Sequence, residues 1–166
     1  MIGDRSFAPL GDAQLNWRFN GSSNSIATII KHIAGNSISR WTDFLKSDGE
    51  KAWRDRDSEF EDGVISKIDL IILWEKGWKC LFDAINSLTD DDLLRTVYIR
   101  NEPHTVMEAI NRQLSHLPYH IGQIIYIAKM QQGGNFKSLT IPKGESKNFN
   151  AIKFNAGKDD STNTIV

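Results

Sequence analysis

The sequence predicts an all-α fold: a four-helix bundle with a short first helix and a long crossover between the two middle helices. Three observations lead there. Three stretches, near residues 24–45, 62–87 and 105–132, carry Ile, Leu, Trp and Phe at helical spacing. A charged, aperiodic stretch over 46–62 parts the first two, long enough for the second helix to run parallel to the first. The third stretch has its own start and stop: Thr105-Val106-Met107-Glu108 reads as a capping box and Gly133-Gly134 as a terminator.

The elements follow in order. Ile2, Phe7 and Leu10 suggest a scrap of helix over residues 1–9, too short to be stable alone. Residues 11–24 are polar and turn-rich. The first long helix starts at a cap on Ser23 or Asn24 and carries Ile26, Ile29, Ile30, Ile33, Ile38, Trp41, Phe44 and Leu45 on one stripe. Beside it, Thr28, His32 and Asn36 form a polar seam at spacings of four. Trp53 and Phe60 are expected to pin down the 46–62 connection. The second long helix has Ile68, Ile71, Ile72, Trp78, Leu81 and Phe82 on its stripe, with Glu75 on the same face. A short helical turn at 90–94 and an extended piece at 96–100 precede the third long helix, and 135–155 reads as extended. Residues 1–155 make one domain and 156–166 a polar tail expected to be disordered.

Composition narrows the function. A chain of 166 residues, 40 % hydrophobic and 25 % charged, is that of a soluble single domain. A net charge of −1 and the lack of a Lys/Arg stripe argue against a nucleic-acid partner. No apolar run is long enough for a transmembrane helix, and no signal peptide is read, so the cytoplasm is the expected location. The single cysteine, Cys80, excludes an internal disulfide and a thiolate-rich metal site, leaving histidine and oxygen ligands. Five tryptophans are many for this length and point to the core or an interface.

His116 and His120 lie four apart on the third long helix and so share a face with Gln113 and Gln123. Such a pair by itself is more often on the surface or hydrogen-bonded in a core than a metal site. His32, on the polar seam of another helix, supplies a third imidazole that would make a site with open positions. Pro118 falls between the pair and predicts a kink. Asn36 and Gln123 are expected to hydrogen-bond the ligands rather than bind metal. Glu75 has two readings: an ion pair with Arg112, or a base or hydrogen-bond partner near the metal. His104 is expected at the surface or at a helix end, Tyr119 in packing, and Cys80 buried and inert.

These segments carry a resemblance. Ser25-Ile26-Ala27, Lys31-His32-Ile33-Ala34-Gly35-Asn36, Arg40-Trp41-Thr42-Asp43-Phe44-Leu45, Asp48-Gly49-Glu50-Lys51, Trp74-Glu75-Lys76-Gly77-Trp78, Ala109-Ile110-Asn111-Arg112-Gln113 and His116-x-x-Tyr119-His120-Ile121-Gly122-Gln123-Ile124 are similar to the DinB-like superfamily, in its branch of unknown function. The resemblance covers residues 22–150. It implies a helix-bundle metalloenzyme in which His32, His116 and His120 hold a divalent metal, zinc or nickel. Relatives of that kind transfer bacillithiol or act with mycothiol. The implied function is therefore a metal-dependent hydrolase or thiol-dependent S-transferase acting on a small-molecule substrate or low-molecular-weight thiol. The rival is a non-catalytic metal-binding module or a dimeric stress or binding module. The family's first helix is longer than the ten residues here, so the bundle is expected to be incomplete, to start from an internal methionine or to be completed by a partner chain, and the exposed apolar surface predicts a homodimer or larger assembly.

Overall fold

The computed structural model describes residues 2–61 and 63–156. It is mostly helical, with one small β-hairpin. The chain forms α1 (Ile2–Phe7), α2 (Asp12–Leu15), α3 (Ile26–Trp41), α4 (Lys67–Asn86), β1 (Thr96–Ile99), β2 (Glu102–Thr105), α5 (Val106–Gln132) and α6 (Ser146–Asn155). Single 3-10 turns stand at Asp57–Glu59, Asp90–Asp92 and Gly133–Asn135. Among the described residues, no helix is long and apolar enough to cross a membrane.

Caps decide where the long helices begin. The Ser25 hydroxyl accepts from the Thr28 amide at 3.0 Å, so α3 starts after the expected Ser23 or Asn24. It stops at Trp41 rather than 45, because Asp43 takes a left-handed backbone with φ 48°. Ser66 caps α4 by accepting from the Asp69 amide at 3.1 Å, which leaves Val64 outside the helix and exposed. The expected box on α5 forms in both directions. Thr105 Oγ1 accepts from the Glu108 amide at 3.1 Å, and the Thr105 amide donates to Glu108 Oε2 at 2.7 Å. The helix α5 continues through Pro118, which sits on its exposed side.

The core lies between α3, α4 and α5. Ile26, Ile29, Ile30 and Ile33 of α3 meet Leu70, Trp74 and Leu81 of α4 and Leu117, Ile124 and Ala128 of α5. Helices α3 and α4 approach closely where Gly77 faces Ala34. A Cβ on Gly77 would stand 2.8 Å from the Ala34 Cα, so only glycine fits without moving backbone. The six residues of α1 are tied down by Phe7, edge-on to Trp74 at 5.4 Å, and by Trp74 Nε1 donating to Asp4 Oδ1 at 2.7 Å.

Several expectations are corrected. The buried line of α4 is Leu70, Trp74, Gly77 and Leu81, so Glu75, one residue past Trp74, turns about 100° away and is exposed. Ile68, Ile72 and Phe82 are exposed with it. Trp53 does not pin its loop, being 60 % exposed, whereas Phe60 packs against His32. A short helix, α2, occupies part of the segment read as turns, and α6 replaces an expected extended segment. From residue 157 on, the expected disordered tail lies outside the described residues.

The expected extended piece is the first strand of a hairpin. Its partner β2 was hidden by Glu102 and Pro103, both poor strand formers. Arg100 and Asn101 close the hairpin with φ of 55° and 61°, the two-residue turn that suits a twisted strand pair. The Asp48 carboxylate accepts from both turn amides, at 2.8 and 2.7 Å, and the Gly49 amide donates to the Tyr98 carbonyl at 2.8 Å. Burial opposes the Asp48 charge, but these amides and that of Glu50 outweigh it and hold the carboxyl below its usual range. The loop after α3 is thereby stapled to the hairpin before α5, which brings Arg100 to the site with Glu50 behind it, 3.3 Å from its Nε.

Candidate metal centre

Helices α3 and α5 bring His32, His116 and His120 together. Their ligand atoms all lie within 4.8 Å of one another. His32 is 6 % exposed and the other two are half-buried. His116 Nε2 stands 3.3 Å from His32 Nε2 and 3.1 Å from His120 Nε2. Two nitrogens bound tetrahedrally at about 2.0–2.1 Å are separated by roughly 3.3–3.4 Å, so the two separations from His116 come close to those around a shared ion.

Two of the three rings are oriented from behind. His32 Nδ1 meets Glu59 Oε2 at 2.9 Å, and His120 Nδ1 meets Gln123 Oε1 at 2.8 Å. Both oxygens accept, so both Nδ1 atoms carry the proton and both Nε2 lone pairs point inward. A proton on His116 Nε2 can bridge to one of them. A cation satisfies all three at once, and backing by a carboxylate or amide is the usual support for metal-bound histidine. The residues present therefore fit a divalent ion.

Electrostatics agree. Burial, then His120 and His32, push the His116 imidazole down to about 4, and burial lowers His120 against the Gln123 hydrogen bond. Both are neutral near pH 7, the form that binds metal. Glu59 is itself buried. Burial works against its charge, but hydrogen bonds from His32 and Arg54 outweigh it and hold the carboxyl below its usual value. Arg54 donates through Nε to Oε1 at 2.8 Å and through a second nitrogen to Oε2 at 3.0 Å. Gly35 makes room for this arrangement: a Cβ there would collide with the Glu59 carboxylate.

A cavity of about 540 Å³ opens beside the triad, lined by His32 and His116 and also by Asn36, Arg40, Gln113 and Tyr119. The ring of Tyr119 packs edge-on to His120 at 4.8 Å, and the residue is 62 % exposed.

A model described as protein of unknown function (DUF1572) matches residues 1–145. The chain belongs to the DUF1572 family. No curated protein matches it.

In this DUF1572 chain the three expected ligands converge and Gln123 backs one of them. Asn36 does not: it makes no hydrogen bond to the triad among the described residues, and its buried Oδ1 lacks a partner at the cavity wall. Glu75 neither lines the cavity nor pairs with Arg112 among the described residues, because its face of α4 points to solvent. His104 is half-buried on β2, away from the cluster. Cys80 is half-buried against Thr42, with Sγ and Oγ1 3.5 Å apart. Sequence reasoning missed Glu59, Arg54 and Arg40. Arg40 had a signal, since it extends the seam of Thr28, His32 and Asn36 by another four residues. Glu59 had none, standing among many acids in an aperiodic loop.

Proposed function

We propose that this protein is a metal-dependent enzyme on a DinB-like helical bundle, with His32, His116 and His120 holding one zinc or nickel ion. The observation that carries the reading is the convergence of three imidazoles whose outer nitrogens on His32 and His120 are held by Glu59 and Gln123. When bound, such an ion supplies a Lewis acid that lowers the pKa of a water or thiol beside it. The chain's own part is to fix the imidazoles and to shape the cavity. That cavity has no cysteine in its wall; Cys80 lines a different depression. In this reading the nucleophile arrives from solution, as a low-molecular-weight thiol or as water. The DinB-like resemblance favours the thiol, hence a thiol-dependent S-transferase, with hydrolysis as the alternative reaction.

Metal content tests the reading. Protein made without a histidine tag is expected to carry about one zinc or nickel per chain by elemental analysis, and chelation is expected to lower its melting temperature. A metal ratio near zero, with melting unchanged by chelator or added zinc, would sink it and leave the non-catalytic module.

We further propose that two copies pair through α4. Its exposed face carries Ile68 and Ile72 beside Glu75, Lys76 and Lys79, apolar contacts with both charge signs, as a self-complementary two-fold requires. Light scattering is expected to give a dimer mass; a monomer at micromolar concentration refutes the pairing.

A further inference from the structure

The cavity beside the triad has a charge imbalance that the metal reading leaves unused. Five arginines line it, Arg40, Arg54, Arg56, Arg100 and Arg112, and among the described residues no carboxylate does. Glu59 and Glu50 lie behind that wall, and their contacts are with Arg54, Arg100 and His32. Among the described residues Arg56 pairs with the exposed Asp57, at 3.9 Å, and its guanidinium stands over the Phe60 ring. Arg40 and Arg112 have no ion pair among the described residues. Arg112 sits on the exposed surface of α5, but Arg40 is 8 % exposed and makes no hydrogen bond among the described residues either. Gln113, 4 % exposed, also reaches this wall with its Nε2 unpartnered.

Burying a guanidinium that has no ion pair is costly, and leaving an amide donor unmet adds to the cost. Here the charges also crowd: burial and then Arg112 and Arg54 outweigh the attraction of Glu50 and lower the Arg40 pKa to about 10, which still leaves it charged at neutral pH. An oxyanion in the cavity would meet the guanidiniums and the Gln113 amide together, the fork geometry of arginine suiting carboxylate and phosphate oxygens alike.

We propose that the arginine-walled part of the cavity is a binding subsite for the oxyanion group, phosphate or carboxylate, of a small substrate, held chiefly by Arg40 and Arg112. The same cavity is lined by His32 and His116, so the anchored molecule lies next to the triad. Anion binding stands on the arginines alone; only the presentation of a reacting group to a metal rests on the function proposed above.

The test is calorimetric titration of the full chain, freed of metal by chelation, with inorganic phosphate and with malonate at low salt. At least one of them is expected to saturate with a single site per chain, and the tighter of the two tells a phosphorylated from a carboxylated substrate. Arg40→Gln and Arg112→Gln are each expected to weaken binding by about tenfold or more, while Lys147→Gln on the exposed α6 changes nothing. Arg112 is exposed, so its variant keeps the fold whatever Arg40→Gln does. His116→Ala is expected to retain the anion. Absence of saturable binding by either probe overturns the proposal, as does binding undiminished from the parent in both arginine variants. Binding that appears only with zinc added and disappears in His116→Ala assigns the anion to the metal instead, and also overturns it. A chain that takes no metal yet binds phosphate through these arginines refutes the metal reading and upholds the subsite.

Discussion

His116→Ala is expected to abolish metal binding and leave the helices standing. His116 Nε2 is the middle nitrogen of the three, 3.3 Å from one neighbour and 3.1 Å from the other. Losing it leaves His32 and His120, two ligands from different helices, and zinc affinity should fall by at least about a hundredfold. The fold has little stake in this ring. It is half-buried at a cavity wall, while α5 is held by Val106, Leu117, Ile124 and Ala128 and by its Thr105–Glu108 cap. Alanine also favours helix over histidine. The metal-free variant should stay within about 1 kcal/mol of the metal-free parent. Competition with a zinc-binding dye and far-ultraviolet circular dichroism read the two halves. Undiminished zinc affinity would remove His116 from the site, and loss of helical signal would make the cluster structural.

Glu59→Ala carries the second large effect, and it acts on two quantities at once. The side chains of Arg54 and Glu59 are 3 % and 9 % exposed, so the variant strands a buried guanidinium with only Glu50 Oε2, 3.5 Å away. Breaking such a pair from one side costs about 3–5 kcal/mol, visible as a lower urea midpoint. His32 also loses the acceptor that fixes its Nδ1 proton, and metal affinity should drop by about 10–100-fold. Glu59→Gln keeps an acceptor and should lose less of both. Gly35→Ala disturbs both contacts by a second route, since its Cβ displaces the carboxylate without deleting it. If zinc affinity is unchanged in both Glu59→Ala and Gly35→Ala while stability falls, Glu59 serves Arg54 alone and does not orient the triad.

The two kinds of residue differ in how they could be read. Helical spacing placed His116 over His120 and put His32 on a seam beside the isoleucines of α3, because in a helix the geometry of neighbours four apart is local. The Thr105–Glu108 cap was legible for the same reason, with both partners inside one turn. Glu75 shows the limit of that reading. Its helix has apolar residues nearly all round, so periodicity alone could not tell that Trp74, Gly77 and Leu81 would be buried while Ile68, Ile72 and Glu75 faced out. That choice belongs to α3, whose Ala34 admits only a glycine opposite.

The amino-acid sequence by itself determined the three imidazoles, the long helices that carry them and the one-turn spacing of the pair. Only the tertiary structure decided what stands behind and beside them. Glu59 reaches His32 across 27 residues of chain through a 3-10 turn, and Asp48 draws the 100–101 turn, with Arg100, toward Arg40. These partners sit in aperiodic segments. Their positions are set by a few hydrogen bonds between distant parts of the chain, and such bonds leave no repeat for a sequence to show.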